Sequence, residues 1–309
     1  MKVGRHEIEI THGEKILFAH AGLTKGDLID YYGQVSKAMV AHTRHYGVSM
    51  ERYPHGMLEE GFFNKDAPDY FPDWIKTVTV PKREGGSFDA PIVDGEAALI
   101  YLANQDVLTF HLYLSRTEDL ERPDKMIFDL DPPEGTENFD AVRHAALDVR
   151  DLLEEIGLRS WVKTTGSKGF HVTVPLDRDT DFDEVRDFAH SVALLLVRMH
   201  EDRYTLEQRK QNRGGRIFLD ILRNAYGATA VAPYSVRARP GAPVATPLEW
   251  SEVENGVSPC DWTVANVPAR LSKQGDPWAG LMRHAQSILS RYDDLHSLLD
   301  TMEPAEEES

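Results

Sequence analysis

The pattern of apolar and polar positions predicts alternating strands and helices along most of the chain. Thr24 and Asp27 form a capping-box pair that opens a helix expected to run to about His45. Residues 50–74 contain prolines and glycines at short intervals, which predicts a loop-rich stretch. The elements predicted next are short strands at 75–81, 89–93 and 107–114, with a helical stretch near 96–105.

A second group of predicted elements lies between residues 125 and 221. Its members are a strand at 125–131, a helix from Phe139 to Ile156 ended by Gly157, strands at 159–164 and 169–175, a helix at 182–202, and a strand at 215–221. The order β-α-β-β-α-β predicts an RRM-like or ferredoxin-like sheet with both helices on one face. A strand at 229–233, a proline-rich loop at 233–247 and a final helix at about 277–301 complete the prediction.

Composition places this α+β pattern in a protein with a sizeable core. The chain has 309 residues, of which 41% are hydrophobic, and one cysteine, which excludes an internal disulfide and a cysteine-based zinc site. The sequence contains no run of about 18 apolar residues, so it predicts no membrane-spanning helix. The N-terminus lacks the apolar segment of a signal peptide. We therefore expect a cytoplasmic, nucleoid-associated protein with no membrane partner.

The net charge argues against nucleic-acid binding, but the distribution of charge along the chain differs from region to region. The net charge of −17 is unusual for a nucleic-acid-binding protein, because phosphate neutralisation dominates such binding. Residues 203–239, however, hold eight basic and two acidic residues, while acidic residues concentrate at 134–155 and in the tail 303–309. A solvated charged face is an equally simple interpretation of such runs.

Two carboxylates end the apolar strand of the sequence MIFDLDPP. Strand geometry puts Asp129 and Asp131 on one face and Phe128 and Leu130 on the other. Like charges about 7 Å apart are costly without a cation, and oxygen ligands at this spacing suit Mg²⁺ or Mn²⁺. Alternatively, the pair caps the next helix or simply ends the strand in solvent.

A third acid, Asp220, interrupts the apolar strand of RIFLDIL. Lone acids inside such strands are rare without a partner. If this strand pairs beside 126–131, three carboxylates converge, as a two-metal phosphoryl-transfer site requires. A salt bridge from Asp220 to Arg216 or Arg223 is the alternative.

The segment TTGSKGFH lies between two short strands. Its glycines let the backbone approach a ligand, its hydroxyls and amides can line an anion site, and Lys168 supplies a positive charge. A hairpin with a solvated lysine is the alternative. His171 is the only titratable residue of the strand FHVTVP and should face something polar; a hydrogen-bonded core histidine is the other interpretation.

Together these segments resemble the archaeo-eukaryotic primase superfamily, and within it the polymerase domain of bacterial and archaeal ligase D, which acts in non-homologous end joining. The resemblance extends over almost the whole chain. The segments that carry it are EKILFAHAGLTKGDLIDYY, RYPHG, GFFNKDAP, MIFDLDPPEG, TTGSKGFHVTVPL, RIFLDILRN and TAVAPYSVRARPGAPVATPLEW. It implies a primase fold in which the RRM-like catalytic sheet packs against a second, smaller α/β subdomain.

The resemblance also implies a mechanism and a ligand set. The acids matching Asp129, Asp131 and Asp220 would bind two divalent ions, Mn²⁺ or Mg²⁺, for in-line attack of a primer 3′-hydroxyl on a nucleoside triphosphate. The residues expected to contact the nucleotide are His111, Thr165, Gly166, Ser167, Lys168, His171 and Arg237. Without the family, Arg237 would pass as a solvated loop residue.

The family further implies residues that contact DNA. Lys15 and Lys25 match its pocket for the 5′-phosphate across a gap, and Phe62 and Phe63 would supply ring faces for bases unless they pack in the core. The other candidates for DNA contacts are Arg52, Asn64, Lys65, Arg213 and Arg223. Two positions depart from some relatives, since Glu51 replaces a basic residue and His12 an asparagine.

The expected function is template-dependent extension of 3′ ends and filling of short gaps at double-strand breaks, with a preference for ribonucleotides. A primase that starts chains de novo and a break-end-binding module are the alternatives. We find no KxDG ligase motif, so we expect a stand-alone polymerase that works with Ku and a separate ATP-dependent DNA ligase; a domain excised from a longer protein is the alternative. Three parts are expected within one domain: 1–115 for 5′-phosphate and template contacts, 116–240 as the catalytic core, and 241–309 as a C-terminal loop and helix.

Overall fold

Two sheets carry the fold. The computed structural model describes residues 1–133 and 139–302, so the acidic segments 134–138 and 303–309 lie outside the described residues. The strands are β1 (Lys2–Val3), β2 (His6–Glu7), β3 (Ile16–Phe18), β4 (Leu23–Thr24), β5 (Val48–Arg52), β6 (Phe62–Asn64), β7 (Thr77–Pro81), β8 (Ser87–Pro91), β9 (Val107–Tyr113), β10 (Ser115–Arg116), β11 (Asp119–Pro123), β12 (Lys125–Asp131), β13 (Trp161–Thr164), β14 (Phe170–Pro175), β15 (Tyr204–Thr205), β16 (Ile217–Asp220), β17 (Thr229–Val231) and β18 (Pro247–Leu248). A six-stranded sheet has the order β15-β16-β12-β14-β13-β18, and a four-stranded sheet has the order β17-β9-β5-β6.

The helices begin where the sequence predicts them in the first two thirds of the chain. Thr24 and Asp27 form both bonds of the capping box, and Gly157 adopts the left-handed conformation, with φ 75°, just past the helix it was expected to end. The helices are α1 (Lys25–Thr43), α2 (Glu96–Asn104), α3 (Phe139–Glu155), α4 (Phe182–Met199), α5 (Trp250–Glu254), α6 (Val267–Gln274) and α7 (Tyr292–Met302). None of the helices in the described residues is long and apolar enough to cross a membrane.

The predicted RRM-like topology is confirmed. The strands β16, β12, β14 and β13 lie side by side in that order, with β14 antiparallel to both β12 and β13. Helices α3 and α4 pack on one face, where Phe128 and Leu130 join Val142 and Phe188 in a buried core. The alternation of β12 therefore turns Asp129 and Asp131 to the opposite face.

The second sheet has its own core. Helix α1 packs on it through residues such as Tyr32 and Val35, together with Phe110 of β9. Strand β17 belongs to this sheet, where it pairs with β9, so the segment after Asp220 crosses from one sheet to the other. Residues 242–267 contribute apolar side chains to both cores.

One sequence prediction is incomplete and another is wrong. The stretch 50–74 is loop-rich as expected, but it also contains β6 and the end of β5, which its prolines and glycines at 54–61 connect. The expected helix at 277–301 is α7 alone, preceded by 3₁₀ turns at Leu281–His284 and Leu289–Arg291. Between these turns Gln286 donates its backbone N–H to Pro175, so tertiary hydrogen bonds to β14 override the local helical pattern.

Candidate active site

One row of four side chains crosses the six-stranded sheet on the face opposite the helices. Asp220 on β16 lies opposite Asp129 on β12, Asp129 lies opposite His171 on β14, and His171 lies opposite Lys163 on β13. Directly opposed residues share a face of the sheet, with Cβ atoms about 5 Å apart. The pairing of the Asp220 strand beside β12 is the arrangement that the sequence required for the acids to meet.

Asp129 is held by two nitrogen donors. Its Oδ1 lies 3.2 Å from His171 Nε2, and its Oδ2 accepts a hydrogen bond of 3.1 Å from Arg223 Nε. Burial alone would raise the pKa of Asp129, but the charges and hydrogen bonds of His171 and Arg223 outweigh it and lower that pKa. Arg223 thus pairs with Asp129, and Arg216 donates to the carbonyl of Arg213, so neither forms the salt bridge to Asp220 that was the alternative.

In the other two acids burial outweighs the compensating charges of Arg223 and Arg213. Burial, with the negative charges of Asp129 and Asp220, raises the pKa of Asp131 to about 6. Burial also raises the pKa of Asp220, whose Oδ1 accepts a hydrogen bond of 2.8 Å from the backbone N–H of Leu222. Three oxygen donors whose negative charges oppose one another fit a hard divalent cation, which would relieve the repulsion.

The arrangement of the acidic side chains also bears on metal binding. Within residues 1–133 and 139–302, no three His, Cys, Asp or Glu side chains stand close enough as arranged to enclose a metal ion. The three carboxylates share one face of two adjacent strands, with Asp129 engaged by Arg223 and His171.

The loop between β13 and β14 is held tightly. The Thr165 hydroxyl bonds both the carbonyl and the N–H of Gly169, and Arg237 Nη1 donates to the Thr165 carbonyl at 3.0 Å. Gly166 has φ 62°, and a Cβ there would lie 2.8 Å from Arg237 Cγ and from the Val244 carbonyl carbon. Gly166 and Gly169 are needed because the backbone packs closely against neighbouring segments of this chain; the approach of a ligand that the sequence predicted for them stays a prediction.

Two adjoining cavities lie beside this loop. The first, of about 200 Å³, is lined by His111, Asp129, Asp131, Thr165, Ser167, His171, Arg223, Thr229, Val231, Arg237 and Arg239. The second, of about 260 Å³, is lined by Asp131, Pro132, Pro133, Ser167, Lys168, Lys210, Arg213 and Arg239. Asp131 lines both cavities, and each cavity also has cationic side chains in its wall, an arrangement that suits a polyanion bound through metal at one end.

His111 forms the opposite wall of the first cavity. It lies on β9, with Nε2 3.5 Å from Glu51 Oε2 and its ring centroid 5.4 Å from that of Phe63. Burial would raise the pKa of Glu51, but the neighbouring His111 and a hydrogen bond from the Tyr53 hydroxyl outweigh it and lower that pKa to about 2. Glu51, which departs from some relatives, thus lies beside His111 as an anion and cannot offer a phosphate contact.

The two predicted base-stacking rings lie on different faces of β6. Phe63 is paired across the sheet with Glu51, near His111, whereas Phe62 is paired with Arg52 and lies 5.7 Å from its guanidinium carbon. They are 61% and 47% exposed, which excludes core packing. Asn64 ends β6 and the exposed Lys65 follows it.

Lys15 and Lys25 converge on one carboxylate. Lys15 forms an ion pair with Asp106 and donates to the Pro54 carbonyl, while Lys25 Nζ lies 3.4 Å from the same Asp106 oxygen. Lys25 is buried, and burial lowers its pKa. From the sequence alone, Lys25 would be interpreted as an ordinary surface lysine. Its burial and the contact with Asp106 that it shares with Lys15 are visible only in the structure.

Three residues of the site were missed by the sequence reasoning. Arg239, which follows Arg237 by two positions, lines both cavities, and its place in the basic stretch was a usable signal. Glu51 was noted only as a departure. Lys163 gave no signal, because its importance depends on its position opposite His171 on the next strand.

Comparison with known proteins decides the family. The family model described as the LigD primase-polymerase domain matches residues 24–278. The chain belongs to this family. Membership confirms the resemblance to the polymerase domain of ligase D and the archaeo-eukaryotic primase fold that it implied.

Individual relatives agree with this assignment. The chain is 33% identical over 281 residues to the bifunctional non-homologous end joining protein LigD of Bacillus subtilis, covering 91% of this chain and 45% of that protein. It is 32% identical to the multifunctional LigD of Pseudomonas aeruginosa, covering 91% of this chain and 34% of that protein. The chain thus spans less than half the length of these curated relatives.

A solved structure matches the fold. The polymerase domain from Mycobacterium tuberculosis Ligase D, in complex with DNA, superimposes with a TM-score of 0.83 at 30% identity. The match covers 91% of this chain and 99% of that chain. The similarity therefore extends over the whole of that polymerase domain and includes both sheets described above.

Proposed function

We propose that this chain is a template-dependent nucleotidyltransferase that extends 3′ ends and fills short gaps at DNA double-strand breaks during non-homologous end joining. The observation that carries the proposal is the pairing of Asp220 with Asp129, beside two cavities lined by cations. Family membership and the DNA-bound structural relative support it. A preference for ribonucleotides is part of the proposal.

Asp129, Asp131 and Asp220 would hold two divalent ions, Mn²⁺ or Mg²⁺. Such ions, when bound, lower the pKa of a primer 3′-hydroxyl and neutralise phosphate charge. Arg223, 3.1 Å from Asp129, is placed to exchange this carboxylate for a phosphate oxygen when a nucleotide enters. The residues proposed to bind the triphosphate and sugar are His111, Thr165, Gly166, Ser167, Lys168, His171 and Arg237, all on the loop or the cavity wall.

DNA would be bound on the side of the four-stranded sheet. Lys15 and Lys25 would bind a 5′-phosphate in place of Asp106, while Phe62 and Phe63 stack on bases. The other proposed DNA contacts are Arg52, Asn64, Lys65, Arg213 and Arg223. We further propose that residues 1–115, 116–240 and 241–309 divide these tasks as the sequence suggested, and that Ku and a separate ligase are the partners.

The test is nucleotide addition to a defined gap. The protein, Mn²⁺ and a labelled nucleotide are incubated with a 5′-phosphorylated gapped duplex or with an unprimed single strand. We expect extension of the gapped duplex and a loss of at least about a thousandfold in Asp129→Ala, because removing a metal ligand removes transition-state stabilisation. Product on the unprimed strand would support the primase, and absence of product on both would leave only end binding.

A further inference from the structure

A groove of about 690 Å³, here termed the α1 groove, lies apart from the candidate active site, between helix α1 and residues 268–282. One wall is a stripe whose members recur every three or four residues and so share one face of the helix: Gln34, Lys37, Ala38, Ala41 and, just past the end of α1, His45. The opposite wall includes Leu271, Trp278, Leu281 and Met282. None of the residues proposed to bind metal, nucleotide or DNA lines this groove.

The α1 groove is distant from the acids. Arg116, which lines it, donates from Nε to Asp124 at 2.8 Å, and Asp124 directly precedes β12. Asp131 lies at the other end of this strand, about 20 Å from Asp124 at a rise of about 3.3 Å per residue. The groove also shares no lining residue with the two cavities beside the acids. A nucleotide bound at the acids would therefore leave it open.

Hydrogen bonds hold the two walls of the α1 groove together. Asp276 accepts a hydrogen bond of 2.7 Å from the Tyr234 hydroxyl, and its other oxygen lies 2.7 Å from His42 Nε2 on α1. Trp278 donates its indole N–H to the Val162 carbonyl and its backbone N–H to Asp276. The groove is therefore formed before a partner binds, which lowers the cost of ordering the protein on binding.

The ionisable side chains of the α1 groove favour an anionic partner. Lys37 is exposed and makes no ion pair within residues 1–133 and 139–302, and the exposed His45 can donate an N–H. Asp276 is the one carboxylate among the described lining residues, and both of its oxygens are engaged. In a chain with 51 acidic and 34 basic residues, this local balance is complementary to negative charge.

The apolar side chains of the α1 groove decide which kind of anion fits it. The small Ala38 and Ala41 leave room on the helix, and Leu271 and Met282 lie in the opposite wall. Methionine is flexible and polarisable, so it packs well against varied apolar side chains. The phosphates of DNA would gain nothing from such a surface. An amphipathic peptide, in contrast, buries its apolar side chains in a groove and leaves its charged ones at the rim.

We propose that the α1 groove is a docking site for a segment of a partner protein in which apolar and acidic side chains alternate at helical spacing. Its apolar side chains pack between Ala41 and Met282, and its carboxylates accept hydrogen bonds from Lys37 and His45. The partner is thereby held away from the acids while nucleotide and DNA are bound. The docking site does not depend on the proposed function, because no nucleotide addition is required for it.

The test uses three synthetic peptides of 16 residues and the full chain labelled with ¹³C at the methionine methyl groups. The first peptide has leucine at every third or fourth position and glutamate elsewhere. The second replaces each leucine by serine, and the third replaces each glutamate by lysine. Met282 reports on the groove, and its signal is identified by its loss in Met282→Leu; the buried Met126 of β12 is the internal reference. We expect a saturable shift of the Met282 signal with the first peptide alone and an unchanged Met126 signal.

Two variants at exposed positions of α1 separate charge from shape. Lys37→Glu should weaken binding of the first peptide about fivefold at low salt and less at high salt, because it replaces an exposed ion pair by a repulsion. Ala41→Phe keeps the charge but fills the groove, and should abolish the saturable shift. Lys2→Glu is the matched control, since it makes the same charge change at an exposed lysine of β1 that does not line the groove. Its affinity should stay within about twofold of wild type.

Three results would overturn the proposal: equal shifts with the glutamate and lysine peptides, an affinity unchanged in Lys37→Glu, or no saturable shift of Met282 with any peptide. A Met282 shift that gapped or single-stranded DNA produces, and that Lys37→Glu removes, would overturn it too and assign the groove to nucleic acid. Absence of gap filling in wild type would reject the proposed function and leave the peptide result standing.

Discussion

At the scale of single residues, the acids of the site differ because their neighbours differ. Asp129 has Arg223 and His171, whereas Asp131 meets mainly burial and like charge. Strand alternation predicted that Asp129 and Asp131 share one face of the sheet, and the structure confirms this, while their role and that of the loop 164–171 came from the family resemblance and stay predictions. The sequence could not find Lys163 or Glu51, whose roles depend on which residues lie opposite them on other strands.

Asp131→Asn should stabilise the metal-free protein in a pH-dependent way. The folded-state pKa of Asp131 is raised to about 6, so the folded state binds the extra proton, and this carboxyl costs stability as pH rises from about 4 to 6. Asparagine removes that cost. Urea unfolding in EDTA should show equal free energies of unfolding near pH 4 and a gain of about 3 kcal/mol for Asp131→Asn at pH 8.

The same variant should lose gap filling, because asparagine is a weaker metal ligand than a carboxylate. Stability and activity would then change in opposite directions at one residue. Equal stability of the two proteins at pH 8 would show that Asp131 is better compensated than its surroundings indicate.

At the scale of elements, prediction succeeded where the pattern is local. Strand β12 ends at Asp131 because Pro132 and Pro133 cannot extend the ladder, and the helices α3 and α4 follow their apolar stripes. It failed at 277–301, where Trp278 donates its indole N–H to Val162 and fixes a non-helical path. Contacts between distant segments decided that region, and a periodic pattern does not contain them.

Gly169 couples the loop 164–171 to the strand that carries the acids. A Cβ at Gly169 would lie 2.0 Å from the Leu130 carbonyl oxygen, so Gly169→Ala must push β14 from β12 next to Asp131. We expect a loss of about 3 kcal/mol in the free energy of unfolding and little gap filling. Gly95→Ala is the control: nothing lies within 4 Å of its Cβ, and the loss should be about 1 kcal/mol or less.

The two variants separate steric coupling from a general glycine effect. Denaturant unfolding gives the stability of each, and gap filling at a temperature where both are folded gives the activity. Similar losses in Gly95→Ala and Gly169→Ala would contradict the coupling of this loop to β12.

At the scale of the whole molecule, a net charge of −17 is combined with local clusters of cations. The cleft between the sheets and the Lys15–Lys25 cluster present positive charge, while the rest of the chain repels a polyanion. Binding should therefore depend on the end of the DNA rather than on the length of the duplex. The net charge can be counted from the sequence, whereas the separation of cationic clusters from the acidic remainder of the surface depends on the fold.

Lys25→Met tests this segregation. Lys25 and Lys15 share Asp106, so a doubly charged 5′-phosphate would gain two charge-assisted hydrogen bonds there. Losing one should weaken binding to a 5′-phosphorylated gap by about ten- to a hundredfold, since a hydrogen bond to a charged group contributes about 1.5–3 kcal/mol. Binding to the same gap with a 5′-hydroxyl should change less than about twofold, because that end makes no ionic contact with Lys25.

The exposed Lys273 on α6 provides the control Lys273→Met, which should leave both affinities unchanged. Fluorescence anisotropy over a salt series adds an independent measure: the slope of log affinity against log salt for the phosphorylated gap should become shallower by about 1 in Lys25→Met. Equal weakening for both ends would mean that Lys25 acts through the stability of α1 and not through phosphate.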